Sequence, residues 1–272
     1  MKKERADQML IEQGLCEDVE KARRYIMAGR VFTRKERRID TAGQKLPADT
    51  ELYIKGMEQK YVSRGGYKLE KALESFDVHV EGKIVLDIGS STGGFTDAAL
   101  QNGAAMCYAL DVGTNQLAWK LRNDPRVVVM EQTNFRTSTL DDFTKGCPEF
   151  ASIDVSFISL KLILPVLKSI LSENGDVVAL IKPQFEAAKE KVGEKGIIRD
   201  PDVHREVLTD ILSFAKKEGF DILGLDTSPI TGSGGNVEFL AHLKPTTKNT
   251  GAINPQVNID AVISSSQKLS KT

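Results

Sequence analysis

The stretch Ile84 to Leu100, IVLDIGSSTGGFTDAAL, constrains this chain most, because an unbroken apolar run ends around an acid and passes straight into a glycine-rich turn. Ile84, Val85, Leu86 and Ile88 suit a strand buried on both faces at the centre of a parallel sheet. Gly89, Gly93 and Gly94 let the backbone turn sharply and approach a ligand without a Cβ in the way. The spacing is D-x-G-x-x-x-G-G, and Ser91 stands where the dinucleotide pattern G-x-G-x-x-G needs the glycine that admits a pyrophosphate. An acid just before the first glycine suits a ligand that is positively charged and lacks phosphate. S-adenosylmethionine meets that description, with Asp87, Gly89, Ser90, Gly93, Gly94 and Phe95 around it. The competing reading is an ordinary strand-to-helix turn in an α/β core, since short glycine motifs have many false positives.

Beyond this motif, strand-like and helix-like stretches alternate: AMCYALDV, NQLAWKLR, RVVVM, FASIDVSF, LKLILPVLKSIL, DVVALIKP, HREVLTDILSFAKKEG and FDILGLDTS. The alternation predicts an α/β fold with a Rossmann-like, doubly wound sheet. Asp111 ends the second strand, where such folds place an acid on ribose hydroxyls. Asn134 either faces the adenine or caps its own loop. Asp154 and Lys182 end the fourth and fifth strands, so both arise at the edge where open sheets bind ligands, Asp154 beside the cofactor. Glu238 follows the Gly232, Gly234, Gly235 turn into the last strand. Lys68 lies on a helix after YVSRGGYKL, where helical spacing alone reads it as part of a solvated face. Residues 186–201 are charged and read as a mobile loop beside the cleft.

The N-terminal residues read differently. Apolar residues at helical spacing (Ala6, Met9, Leu10, then Val19, Ala22, Tyr25, Ile26) predict two short helices, ended by Gly14 and Gly29, with Asp18 capping the second. The basic turn VFTRKERRID and the strand-like ELYIKG follow. Residues 1–60 carry 14 Lys and Arg against 11 Asp and Glu, and the remainder 23 against 27. That excess points to nucleic acid as the partner of the first segment. Candidate RNA contacts are Arg5, Arg23, Arg24, Arg30, Arg34, Lys35, Arg37 and Arg38, with Arg64 at the start of the second domain. The expected organisation is residues 1–56 as a small α+β domain, 57–62 as a linker, 63–245 as the sheet domain and 246–272 as a polar tail. Within that tail, Asn258 to Leu269 has short amphipathic-helix character.

Cys16, Cys107 and Cys147 are odd in number and far apart, which suggests neither disulfides nor zinc and fits a reducing cytoplasm. His79, His204 and His242 have no metal-ligand spacing, so no metal is expected. No run of about 18 apolar residues occurs, and a soluble monomer without membrane contact is expected. Two lysines and two acids near a methyl donor favour transfer to a hydroxyl. Methylation of an exocyclic amine uses [ND]-P-P-[YF] after the fourth strand, whereas Val155, Ser156 and Phe157 follow Asp154 here. Carbon methylation needs a cysteine nucleophile, and none stands at these strand ends.

Residues 3–56 resemble an S4 RNA-binding domain in RADQML, the Gly14–Leu15 pair, KARRYIMAGRV and the closing strand. Residues 61–243 resemble the FtsJ-like 2′-O-ribose methyltransferase domain, and the whole is similar to the TlyA (hemolysin A) family. YVSRGGYKL, LDIGSSTGGFTD, ALDVGTNQL, SIDVSFISL, ALIKPQFE and GGNVEF carry that resemblance jointly. It implies a Lys68, Asp154, Lys182, Glu238 catalytic tetrad, S-adenosylmethionine as cofactor, and cytidine in the rRNA of ribosomal subunits as substrate. Lys182 would activate the 2′-hydroxyl, Asp154 and Glu238 would hold the lysines, and Lys68 would orient the ribose. Two alternatives stand beside this: a membrane-active haemolysin, and a non-catalytic RNA-binding assembly factor. The longest apolar stretch, LILPVL, is short and interrupted by Pro165, which opposes the first. The complete tetrad and glycine motif oppose the second.

Overall fold

The computed structural model describes residues 3–16, 18–34, 36–56, 60–193, 196–232 and 235–267. Lys35, Gly234, residues 57–59 of the expected linker and the last five residues lie outside the described residues. The chain begins with β1 (Lys3–Arg5), α1 (Ala6–Glu12) and α2 (Val19–Met27), then β2 (Val31–Thr33), β3 (Lys45–Pro47) and β4 (Leu52–Ile54). Asp18 caps α2 by accepting the Lys21 N–H at 2.7 Å, and Gly14 and Gly29, both at positive φ, follow the helices. β1 pairs with β3 and β2 with β4, both antiparallel. The helical stripe of Ala6, Met9, Leu10, Ala22 and Ile26 closes over Val31, Ile39 and Ile54 as a core of its own.

α3 (Gly65–Phe76) opens the larger part, followed by β5 (Ile84–Ile88), α4 (Gly94–Gln101), β6 (Met106–Leu110), α5 (Trp119–Arg122) and β7 (Val127–Met130). Next come β8 (Phe150–Ile153), α6 (Leu164–Ile170), β9 (Asp176–Ile181), α7 (Pro183–Glu186) and α8 (Pro201–Lys217). β10 (Phe220–Thr227), β11 (Phe239–Pro245) and α9 (Ile259–Ser266) complete the order. Seven strands form one sheet in the order β10-β11-β9-β8-β5-β6-β7. β5 to β9 run parallel, and β11 lies antiparallel between β9 and β10. Strand alternation explains the double burial. Leu86, Ile88, Val177 and Ala179 pack towards α6 and α8, while Val85, Val178 and Leu180 pack towards α3 and α4. Each of these Val, Leu and Ile side chains contributes about 1.5–3 kcal/mol by leaving water.

Two sequence expectations change. NQLAWKLR forms only the single turn α5, its preceding residues being drawn into a loop around Glu131. Residues 246–272 are not simply a tail. Ile253 bridges to Ile222, Asn258 caps α9, and Ile263 is buried in the main core, so α9 covers the apolar surface of α8 and β10. No described helix is long and apolar enough to cross a membrane.

Candidate active site

From β5 the chain proceeds to β6 and β7 on one side and then returns to place β8 and β9 on the other. The crevice therefore opens between the carboxyl ends of β5 and β8, the position where strand order reverses. Gly89 (φ +86°) shapes its floor, whereas Gly93 (φ +98°) is off the cleft lining and packs against Leu117 and Leu121. A Cβ on Gly89 would lie 2.5 Å from the Asp154 carbonyl oxygen, so the absence of a side chain is what lets β8 deliver Asp154 against the turn.

Asp87 corrects the sequence reading. It is fully buried and makes no wall of the cleft. Its Oδ2 accepts the Thr96 N–H at 3.0 Å and the Thr96 hydroxyl at 2.7 Å, and its Oδ1 accepts the Ser152 hydroxyl at 3.0 Å. Burial pushes this carboxyl up to about 7 despite those hydrogen bonds. Asp87 thus ties β5, β8 and the first turn of α4 together from behind. Ser90, Gly94 and Phe95 do line the cleft.

Asp111, at the end of β6, accepts the Ser91 N–H at 2.8 Å and the Gly113 N–H at 2.7 Å, one on each oxygen. Each oxygen retains a second lone pair, enough for the two hydroxyls of a ribose. Asn134 caps a short turn by accepting the Arg136 N–H at 3.2 Å, the loop-capping role of the two weighed for it.

Four charged side chains meet at the other side of the turn. Asp154 follows β8 and Lys182 follows β9. Because β11 is antiparallel, its first residues, preceded by Glu238, arrive at the same edge, with Phe239 opposite Ile181. Lys182 Nζ lies 2.5 Å from Asp154 Oδ1, and Lys68 Nζ lies 2.6 Å from Glu238 Oε2 and 3.6 Å from Asp154 Oδ2. Lys68 is buried, not on a solvated face: α3 turns it under β11. Burial works to lower the Lys68 pKa, but Asp154 and Glu238 outweigh it and the net shift is upward. Burial likewise opposes ionisation of Asp154, and the two lysines overcome it, holding this carboxyl below its ordinary range.

These groups open onto a cleft of about 780 Å³ whose far wall is built by N-terminal residues, among them Gln13, Arg34 and Tyr53. Sequence reading did not find three features, one in the cleft wall and two beside it. Ser156 Oγ accepts a hydrogen bond from Lys182 at 3.2 Å. Phe157 holds φ +63° and is 91% exposed, its ring centroid 4.9 Å from that of Phe185. Glu186 clamps the loop beyond it, accepting the Ser159 hydroxyl at 2.5 Å and the Leu160 N–H at 2.8 Å. A non-glycine residue at positive φ is rarely forecast by local sequence.

The candidate RNA cations divide. Arg5 and Arg23 turn to buried Asp7, Arg30 donates to the Lys55 carbonyl at 2.9 Å, and Arg64 donates to the Glu12 carbonyl at 2.8 Å. These four also contact other parts of the chain, a role that their reading as RNA contacts did not foresee. Burial lowers the Arg64 pKa. Arg34 and Arg38 form exposed pairs with Glu51 and Asp40, which contribute little and can exchange for phosphate. Arg24 and Arg37 are exposed, with no ion pair among the described residues.

The Asp111 carboxylate beside a glycine turn, followed along the crevice by Asp154 and Glu238, suits a nucleoside that carries a cation. S-adenosylmethionine fits that seat, and the fold defines a methyltransferase that depends on it. Residues 61–245 match the FtsJ-like methyltransferase family. The Bacillus subtilis "Putative rRNA methyltransferase YqxC" is 58% identical over 271 residues, covering 99% of this chain and 96% of that one. The Mycobacterium tuberculosis "16S/23S rRNA (cytidine-2'-O)-methyltransferase TlyA" is 41% identical over 249 residues, covering 89% of this chain and 90% of that one. The solved "Putative hemolysin from Streptococcus thermophilus" superposes with a TM-score of 0.81 at 53% identity, covering 100% of this chain and 98% of that one. The chain belongs to the TlyA/hemolysin A family of FtsJ-like methyltransferases.

Proposed function

We propose that this enzyme methylates the ribose 2′-hydroxyl of cytidine in ribosomal RNA, with Lys182 as the base. The observation that carries the reading is the Lys182–Asp154–Lys68–Glu238 network at the mouth of the cofactor crevice. Support for the substrate comes from the Mycobacterium tuberculosis relative, whose name specifies 16S and 23S rRNA and cytidine-2′-O transfer. When bound, S-adenosylmethionine supplies a methyl group on a sulfonium. Asp111 and the Gly89–Gly94 turn hold the nucleoside; Lys182 takes the 2′-hydroxyl proton; Asp154 spans the two lysines; Lys68, kept charged by Glu238 and Asp154, orients the ribose. The exposed Phe157 ring offers a surface on which an unpaired base stacks. The N-terminal residues, S4-like in pattern, supply phosphate contacts that position the RNA without reading its sequence.

The test is transfer of labelled methyl to ribosomal subunits followed by alkaline digestion. A 2′-O-methyl group blocks the internal nucleophile and leaves a resistant dinucleotide carrying the label. Lys182→Ala is expected to abolish transfer with cofactor affinity nearly unchanged, and Lys182→Arg to be almost as inactive, because a guanidinium stays protonated. Label on a base would exclude ribose methylation, and an active Lys182→Arg enzyme would exclude this base.

A further inference from the structure

We propose that Ser156 is a positioning residue for Lys182, fixing rotation about the Cε–Nζ bond so that the lone pair of the neutral amine faces the cleft. This rests on reading Lys182 as the base. A neutral lysine has two N–H donors and one lone pair, and it accepts a proton only along that lone pair. Asp154 Oδ1 approaches Nζ to 2.5 Å as an ion pair but without hydrogen-bond alignment. That attraction draws one N–H and leaves two tetrahedral positions open to the lone pair. The directional contact is the hydrogen bond to Ser156 Oγ at 3.2 Å. With one N–H committed to Ser156 and the other drawn to Asp154, the remaining tetrahedral direction belongs to the lone pair. Ser156 and Lys182 both line the cleft.

The other lysine shows the contrast. Lys68 lies between two carboxylates, in an aligned hydrogen bond to Glu238 at 2.6 Å and 3.6 Å from Asp154. It has no neutral acceptor among the hydrogen bonds of the described residues, an arrangement that suits a permanent ammonium. Lys182 contacts one carboxylate and one hydroxyl, with the Phe185 ring centroid 5.8 Å from Nζ. In the transfer step the 2′-O–H bond breaks and its proton joins the Lys182 lone pair, giving an ammonium. The oxygen's electron pair forms the bond to the methyl carbon while the carbon–sulfur bond breaks and leaves its pair on sulfur. Ser156 gains and loses no proton.

Single-turnover and steady-state kinetics of the full-length enzyme on ribosomal subunits test this, alongside calorimetric titration with S-adenosylmethionine to show that each variant is folded and binds cofactor. Ser156→Ala is expected to lower kcat roughly 10- to 100-fold, the usual cost of a misaligned reacting group, with KM for the subunit and cofactor affinity unchanged. Ser156→Thr, which keeps the hydroxyl, is expected to recover most of the rate, and Ser156→Cys, a weak acceptor, to remain slow. Ser156→Ala with wild-type kcat beside an inactive Lys182→Ala would overturn the role of Ser156 and leave the base intact. A slow Ser156→Thr, or a Ser156→Ala effect confined to KM, would overturn it as well. An active Lys182→Arg would remove the base reading first, and this inference with it.

Discussion

Lys68 Nζ and Glu238 Oε2 lie 2.6 Å apart across 170 residues of chain, and both side chains are almost fully buried. Removing one partner leaves the other as an uncompensated buried charge, which costs about 3–5 kcal/mol. Lys68→Met is therefore expected to lower the urea midpoint sharply and abolish methyl transfer. Lys68→Met combined with Glu238→Leu is expected to regain much of the stability and none of the activity. Equal stability of the single and double variants would show that the pair carries no such coupling.

Asp111 joins the glycine turn to the loop after β6 through its hydrogen bonds from Ser91 and Gly113. Asp111→Ala is expected to weaken S-adenosylmethionine binding roughly 10- to 100-fold, the equivalent of losing a charged hydrogen-bonding group. Calorimetry reads this directly, and an unchanged affinity would falsify the assignment of Asp111 to the ribose.

Asp87 gives the protein a pH dependence of known sign. Its folded pKa is raised to about 7 by burial, against about 4 in an unfolded chain. The folded state holds this proton over a range where the unfolded state has released it. Stability from this group is thus complete below about pH 4 and lost as pH rises to about 7. Asp87→Asn keeps an acceptor for Thr96 and turns an amide towards the Ser152 hydroxyl. The variant is expected to show a flatter melting temperature between about pH 4 and 7, and parallel curves for the two proteins would contradict the assignment.

Arg24 and Arg37 are the exposed arginines of the N-terminal set without an ion pair among the described residues. Converting both to glutamate is expected to weaken binding to ribosomal subunits and to reduce the salt slope by about one per lost phosphate contact. Cofactor affinity should not change. Arg5→Glu, by contrast, is expected to destabilise the fold, because Arg5 neutralises buried Asp7. Identical salt slopes for the wild-type and double-variant proteins would remove these two arginines from the RNA interface.

Much of this was legible along the chain. Local periodicity located α1, α2 and the strand alternation, because a helix stripe or a buried strand is written in consecutive residues. The strand ends brought Asp154 and Lys182 together for the same reason. Lys68 was misread from spacing because what covers it is β11, far away in sequence. Asp87 was misread because a carboxylate near a cationic ligand and a buried carboxylate serving two hydroxyls and an amide look identical in sequence. The Ser156–Phe157 turn left little signal, since its positive φ is imposed by its surroundings and not by a glycine. The Arg64 contact with Glu12 depends on how the N-terminal residues meet the sheet domain, which no local pattern encodes.

The placing of β11 also bears on when the enzyme comes into being. This strand follows β10 in the chain, yet it sits between β9 and β10 and not at an edge. A nascent chain that has emerged only as far as β10 already contains Lys68, Asp154 and Lys182 but has a slot where Phe239 must pair with Ile181. A slip of one residue in that pairing would turn Glu238 to the opposite side of the sheet. Filling of that slot and arrival of Glu238 beside Lys68 are therefore a single event. A translation product cut short before residue 238 would carry Lys68, Asp154 and Lys182 and lack the carboxylate that pairs with Lys68.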